Sequence, residues 1–382
     1  MMQIHWQDLT PEQFLKEYWQ KKPLLIKNAF RDFSDPVDAD ELAGFAMEEE
    51  IESRIISQQG KEDWQVAHGP FSAFDQFGEQ DWTLLVQATN NWSTKTHDLL
   101  TPFRFIPNWR IDDVMVSFST PGGGVGPHLD QYDVFIIQGQ GKRRWQVGLP
   151  DESLKQLLPH PDLKQVSDFT PVIDEITGPG DLLYIPPNHP HNGVALENSL
   201  NYSVGFQAPN NQELWSAFAD KLLDLDAGTR RLDDPNRQLT ENPEQLESKD
   251  IAQIKNFMQA QLDDETLFND FIGSFLTQCH HAMEILVPVT PITPEQLDDI
   301  LSEEEICFTP VSGIKSLIIS TPSPCLYING EAWALEEKTF ALATKLAQSL
   351  PLTTQEIKSF TSCLLNAQLL TSVLNKGYWF IE

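Results

Sequence analysis

Residues 121–147 read PGGGVGPHLDQYDVFIIQGQGKRRWQV, and the reading of this stretch decides the fold class. A glycine-rich lead-in runs into His128-Leu129-Asp130, then into the apolar segment Val134 to Gln138, a Gly-Gln-Gly turn, and a second strand-like run from Arg143 to Val147. Along an extended strand side chains alternate, so His128 and Asp130 share one face. The texture continues from Asp113 to about Ala208, where Val114 to Ser119, Leu182 to Ile185 and Tyr202 to Phe206 are short apolar runs separated by Gly- or Pro-bearing turns. Gly178-Pro179-Gly180-Asp181 is such a turn, and the strand leaving it stops at Pro186-Pro187. This spacing predicts a mainly β domain of jelly-roll type, whose sequence-distant strands face each other across the barrel mouth.

Outside this segment the periodicity differs. Thr10-Pro11-Glu12-Gln13 combines an N-cap, a first-turn proline and a capping-box glutamine, predicting a helix through Trp19. Lys22 to Ile26 reads as a strand, and Pro36 to Met47 with Glu48-Glu49-Glu50 as a solvated helix. After Pro209 the apolar period becomes helical: Leu214, Trp215, Phe218, Leu222 and Leu225 form one stripe, with others through Phe257 and Phe271, and the polar stretch Thr229 to Gln245 is a loop. A three-helix unit with stripes this wide could pair with a copy of itself. The last hundred residues carry two more capping boxes, at Thr293 and Thr353, and turn signals at Asn329-Gly330 and Asn375-Lys376-Gly377. Helices followed by a terminal hairpin predict a winged-helix module. The predicted division is therefore 1–209, 210–279 and 280–382.

Composition narrows the function. At 382 residues the chain exceeds what one core usually supports, and with 40% hydrophobic residues, 22 Phe and 10 Trp it has ample material to fold. A formal charge of −30 argues against direct nucleic-acid binding and favours a basic partner. From His280 onward there are five Lys and no Arg against twelve Asp and Glu, so a DNA-binding winged helix is disfavoured. No apolar stretch of the ~18 residues a membrane span requires occurs, and the start lacks a basic segment followed by an apolar run, so a cytoplasmic protein is expected. Cys279, Cys307, Cys325 and Cys363 have no metal-ligand spacing and are expected as buried free thiols.

His-x-Asp alone is a weak signal. A second histidine comes from Asn188-His189-Pro190-His191-Asn192, where His189 and His191 share parity and spacing does not choose between them. Two imidazoles and a carboxylate on one face are the ligand set of non-haem iron(II), which keeps three positions open for cosubstrate and dioxygen. A 2-oxoglutarate cosubstrate needs a fixed cation, best an arginine, for its distal carboxylate. Lys142-Arg143-Arg144 supplies one: a two-residue hairpin loop would put Arg143 on the face of His128, a three-residue loop Arg144, and Arg143 is chosen.

On these residues the chain resembles a known family. Gly122 to Trp145 and Gly180 to Pro209 are similar to the JmjC-type ribosomal oxygenases, and Pro121 to Gly139 with Asn198 to Phe206 resemble their bacterial branch. The resemblance spans essentially the whole chain. It implies a double-stranded β-helix (cupin) catalytic domain of JmjC type, an α-helical dimerisation domain that makes a homodimer, and a C-terminal winged helix. The implied reaction decarboxylates 2-oxoglutarate to succinate with O2 at Fe(II) and hydroxylates the β-carbon (C3) of an arginine in a basic ribosomal protein, the sixteenth of the large subunit. His128, Asp130 and His191 are the implied metal ligands, which settles the choice of histidine. Arg143 with Ser119 would bind the cosubstrate, and Asp113, Met115, Tyr132 and Ser203 the target arginine. Asn188-His189 departs from the Gly and aromatic usual in the family, so a small change at the site rim is expected. The alternatives are a histidine or methyl-lysine target, which Asp113 disfavours against arginine only in the first case, and a non-catalytic cupin scaffold, which has no use for Arg143.

Overall fold

The computed structural model describes residues 2–60, 63–302 and 306–382. Its contacts separate two compact units: residues 1–208 with 280–284 and 311–313, and residues 209–279 with 285–310 and 314–382. The middle helices thus group with the C-terminal module, while two short returning segments belong to the β-rich unit.

The first unit contains thirteen described strands: β1 (Leu24–Ile26), β2 (Ser53–Gln58), β3 (Trp64–His68), β4 (Trp82–Val86), β5 (Ile111–Ser119), β6 (Asp133–Gln138), β7 (Arg143–Gly148), β8 (Gln156–His160), β9 (Leu163–Val166), β10 (Pro171–Thr177), β11 (Leu182–Ile185), β12 (His191–Ala195) and β13 (Ser199–Phe206). Eight form one sheet in the order β1-β11-β6-β13-β5-β4-β2-β3, and three form a second in the order β10-β7-β12. Non-consecutive neighbours in both sheets are the mark of a jelly roll. The five strands anticipated between Asp113 and Ala208 are present with boundaries shifted by a few residues. Strands β2 to β4 had not been anticipated: β4 is buried along its whole length, so it lacks alternation, and β3 is a part-exposed edge.

Strand β6 is buried on both faces, and its alternation divides the two layers. Phe135 and Ile137 join an aromatic-rich core on one side, while Val134 and Ile136 pack with Trp145, Val147, Leu183 and Ile185 on the other. Phe135 is fully buried, with ring centroids of Phe103 and Tyr184 at 4.8 Å, Phe14 at 5.4 Å and Phe206 at 5.5 Å. Phe14 comes from the helix Pro11–Glu17, whose Thr10–Gln13 capping box forms as predicted. The second predicted helix is shorter, Ala39–Phe45, and is anchored by a fully buried Leu42 where a solvated helix was expected.

In the second unit the three middle helices are Asn211–Asp224, Ser248–Leu262 and Glu265–Thr277. Asn329-Gly330, both at positive φ, closes the hairpin between Cys325–Ile328 and Glu331–Ala334. Asn375-Lys376-Gly377 is no hairpin turn. It ends the helix Leu364–Asn375, with the Gly377 N–H donating to Leu374 O and the Tyr378 N–H to Val373 O while Gly377 sits at φ 72°. That pairing is a Schellman cap, which uses the same left-handed glycine as a hairpin and so reads alike in sequence. The strand Trp379–Ile381 that follows pairs with Cys307–Pro310. The four cysteines are free, and half-buried where full burial was expected.

Phe135→Ala is expected to lower the stability of the β-rich unit by about 3–5 kcal/mol, read as a shift in its denaturant midpoint. A loss below about 1 kcal/mol would mean that the surrounding rings close over the hole.

Candidate active site

A cavity of about 570 Å3 opens between the two sheets of the first unit, and its wall includes Asp113, Met115, His128, Asp130, Arg143 and His191. His128 and His191 meet in an isolated antiparallel bridge, each backbone N–H donating to the other's carbonyl at 3.0 Å. His128-Leu129-Asp130 does not lie in a regular strand, as alternation had suggested. The chain there is irregular apart from one bridge, its only β pairing among the described residues, and glycines and Pro127 precede it. Asp130 is tied instead by its carbonyl, which accepts from the Asn188 N–H at 2.7 Å. Asn188 has φ 60°, the left-handed conformation that a glycine takes freely and that Asn tolerates better than most residues.

The three side chains converge. Asp130 Oδ2 is 3.4 Å from His191 Nε2 and 3.8 Å from His128 Nε2, and one ligand atom from each residue lies within 4.8 Å of the others. Each imidazole Nδ1 faces a backbone carbonyl, His128 that of Gly126 at 2.9 Å and His191 that of His189 at 3.0 Å. Donation from Nδ1 fixes the tautomer and leaves the Nε2 lone pair free for a metal. Burial, reinforced by His191, pushes the His128 imidazole down to about 4, so it is neutral near pH 7. Burial opposes ionisation of Asp130, but His128, His191 and the nearby Tyr132 hydroxyl outweigh it and hold the carboxyl down at about 2. A neutral His128 imidazole and an ionised Asp130 carboxylate are states that ligate iron(II), and with the His191 ring beside them the residues fit that ion. His189 stands apart, its Nδ1 on the Pro187 carbonyl at 3.0 Å.

At one end of the cavity Arg143 is buried, with Nε donating to Ser199 Oγ at 3.0 Å and Nη2 to the carbonyls of Ser117 at 3.2 Å and Ser199 at 3.3 Å. Burial pushes its pKa down to about 9, and it remains a cation at neutral pH with no carboxylate paired to it among the described residues. The route to this position differs from the hairpin expected. β6 and β7 lie in different sheets, so the turn between them crosses the roll and no loop-length argument applies. Ser119 is not in the cavity wall: its hydroxyl is fully buried 2.7 Å from Thr83 Oγ1. Ser117, on the same face of β5, lines the wall beside Arg143. The two serines share a face of β5, and depth separates them.

Asp113, Met115, Tyr132 and Ser203 also line the cavity. Asp113 Oδ2 accepts from Gln87 Nε2 and the Ala88 N–H, both at 2.8 Å. Burial, with Asp112 adjacent, raises its pKa to about 6 against the opposing effects of His281 and these donors. Met115 packs against the apolar cluster of Ile56, Leu85 and Leu163. Sequence reading had missed Arg54, Gln87, Ser117, Asn201 and the hairpin residues Asp162 and Lys164 in the wall. Arg54 and Gln87 lie in or beside strands that gave no alternation signal.

The chain matches the JmjC domain model over residues 98–214 and the ROXA-like winged-helix model over residues 260–380. It is 43% identical over 380 residues to the ribosomal protein uL16 3-hydroxylase of Escherichia coli K12, covering 99% of this chain and 98% of that protein. The chain belongs to the JmjC-domain ribosomal oxygenases. A probable ribosomal oxygenase of Haemophilus influenzae is 33% identical over 333 residues, 85% of this chain and 82% of that one. The crystal structure of E. coli YcfD superposes with a TM-score of 0.93 at 43% identity, and YcfD in complex with cobalt and 2-oxoglutarate with 0.89 at 41%, each covering 100% of both chains. This ribosomal oxygenase accordingly has the cupin-type JmjC fold and the winged helix expected from its sequence.

Replacing His128 or His191 by Ala in this ribosomal oxygenase is expected to abolish stoichiometric Fe(II) binding, measured as metal content after anaerobic loading and desalting. His189→Ala should retain it, and the converse result would exchange the two histidines.

Proposed function

We propose that this chain is the Fe(II)- and 2-oxoglutarate-dependent oxygenase that hydroxylates the β-carbon (C3) of an arginine in ribosomal protein uL16. The observation that carries the reading is a single cavity holding a two-histidine, one-carboxylate cluster, a buried unpaired arginine and a buried carboxylate, in a chain similar along its length to a uL16 3-hydroxylase. In this reaction 2-oxoglutarate, O2 and the substrate C–H become succinate, CO2 and C–OH.

In this reading His128, Asp130 and His191 hold the iron. Bound Fe(II), with three positions left open, supplies the meeting point of cosubstrate and dioxygen and the oxidising power for C–H hydroxylation. Arg143 takes the distal carboxylate of 2-oxoglutarate, because a cation with only neutral partners in a buried wall lacks a counter-anion. The serine helper is Ser117 and not Ser119. Asp113 accepts the substrate guanidinium, Met115 and Tyr132 flank its aliphatic stem, and Ser203 adds a polar contact. An acidic residue here favours a cationic target over a neutral histidine, and Arg143 argues against a metal-binding scaffold without catalysis.

The net charge of −30 supports a basic protein substrate and no direct nucleic-acid contact. Among the described residues no helix is long and apolar enough to cross a membrane, and a substrate on the ribosome fits a cytoplasmic enzyme. Trp215, Leu223, Ile251 and Met258 are each more than half exposed on the middle helices, which supports a homodimer through that segment. The functional division is catalytic 1–209, dimerisation 210–279 and winged helix 280–382.

Incubation of uL16 with enzyme, Fe(II), 2-oxoglutarate and O2 is expected to add one oxygen to a single arginine, located by tandem mass spectrometry, and His128→Ala should add none. Oxygen found on a histidine, or loss of a lysine methyl group, would replace the arginine reading with its alternatives. Because Asp113 must be ionised to pair with a guanidinium and titrates near 6, KM for the uL16 substrate should rise about tenfold per pH unit below 6. Asp113→Asn should raise KM at pH 7.5 and flatten that dependence; a profile unchanged in the variant would remove Asp113 from the substrate pocket.

A further inference from the structure

Arg54 is a cation that the reading above leaves unassigned. It lies on β2, half-buried in the cavity wall, and among the described residues its guanidinium has no hydrogen-bond acceptor and no carboxylate partner. A guanidinium carries several N–H donors and keeps its charge, so leaving one unpaired in a part-buried wall is costly unless a ligand brings acceptors. The other positive side chains of the wall are engaged or lie outside. Arg143 donates to Ser199 and Ser117, His68 pairs with Asp162 at 3.2 Å, and Lys164 is exposed.

The sheet says where Arg54 can act. It pairs with His68 of β3 and with Leu85 of β4. Ile56, two residues on and on the same face, packs with Leu85, Leu163 and Met115, so Arg54 shares the wall of the residue assigned to the substrate's stem. Its charge acts on the His128 imidazole and on the Tyr132 hydroxyl, which puts the head group within electrostatic reach of the ligand cluster.

The position of hydroxylation narrows the acceptor. C3 is bonded directly to Cα, so bringing it to His128, Asp130 and His191 brings the main chain of the target residue there too. The target guanidinium lies at the far end of the side chain, on Asp113. Main-chain carbonyls drawn from water into this cavity need donors, and Arg54 offers unused ones on the side of the metal ligands.

We infer that Arg54 is a substrate-binding residue whose guanidinium donates to main-chain carbonyls of uL16 beside the target arginine and so fixes C3 against the ligand cluster. The assignment rests on the arginine C3 reading above and deepens it. A planar fork suits such acceptors. Because they belong to the main chain, the contact is blind to the side chains flanking the target. Its loss loosens the peptide, so 2-oxoglutarate is consumed with less hydroxylation.

The test is calorimetric titration of a uL16 peptide centred on the hydroxylated arginine into the Fe(II)-loaded, 2-oxoglutarate-bound, oxygen-free full-length protein, for wild type, Arg54→Met and Arg54→Lys. Arg54→Met keeps a long stem and removes the donors, and it should weaken Kd roughly ten- to a hundredfold. Iron content, melting temperature and the Kd of 2-oxoglutarate should not change, since Arg54 has no protein partner to leave unsatisfied. Arg54→Lys keeps the charge but replaces the fork by a point donor, so its loss should be smaller. A second peptide, with alanine at every position flanking the arginine, should show the same ratio between wild type and Arg54→Met. With oxygen admitted, Arg54→Met should form more succinate per hydroxylated arginine than wild type. Equal peptide Kd in wild type and Arg54→Met would overturn the assignment, and so would a loss of 2-oxoglutarate affinity in its place. A ratio that collapses with the alanine peptide would also overturn it, by putting a flanking side chain on Arg54. A wild type that binds no uL16 peptide, or oxidises it elsewhere than at an arginine C3, would instead overturn the substrate reading, and this assignment with it.

Discussion

The backbone bridge between His128 and His191 is the constraint on which the site depends. The two histidines are sixty-three positions apart in the chain, and two reciprocal N–H to carbonyl bonds of 3.0 Å hold them opposite each other. Each ring is then oriented by a carbonyl two residues before it, Gly126 for His128 and His189 for His191. The ligand geometry is therefore written into the main chain, where it is insensitive to side-chain rotamer choice. Asp130 is held to the same loop pair through the Asn188 N–H, so all three ligands belong to one hydrogen-bonded junction. Such preorganisation keeps a metal site specific although only His191, at the start of β12, lies in a regular strand.

Around that junction the cavity is electrically divided. One part is bordered by Arg143, which has neutral partners, and by amide and indole N–H groups without any. Another is bordered by Asp113, whose carboxyl is raised toward neutrality by burial and by Asp112. An anionic cosubstrate and a cationic side chain would each be drawn to a different part of one pocket, with the ligand cluster in the same wall. The sheets make this possible because a double-layered roll presents inward-facing residues from many strands, among them β2, β4, β5, β6, β7, β12 and β13, to one space.

The local rules of the chain told much of this in advance. Alternation puts Asp113 and Met115 on one face of β5, and capping boxes at Thr10 and Thr353 formed where a hydroxyl and a Glu or Gln stood three residues apart. Failures came where two structures share a local signature. Asn375-Lys376-Gly377 uses the same positive-φ glycine as a hairpin but caps a helix. Ser119 has the parity of Ser117 but lies behind the wall, bonded to Thr83. Strand β4 is apolar throughout because both its faces are covered, which removes the period that identifies a strand.

The sequence by itself determined the β-rich class of the catalytic region, the residue types of the metal cluster and the acidic character that favours a basic partner, because these follow from periodicity, side-chain chemistry and summed charge. Between His189 and His191 it was silent, since both have the same parity; the tertiary structure separates them through the bridge that only His191 makes. It also placed Arg143 by a loop argument that the fold does not use, as β6 and β7 lie in different sheets. Depth, sheet membership and the partners of buried polar atoms such as Asn201 depend on contacts between strands far apart in the chain. Period-2 alternation carries the face of a residue but neither its neighbours across the roll nor its distance from the cavity floor.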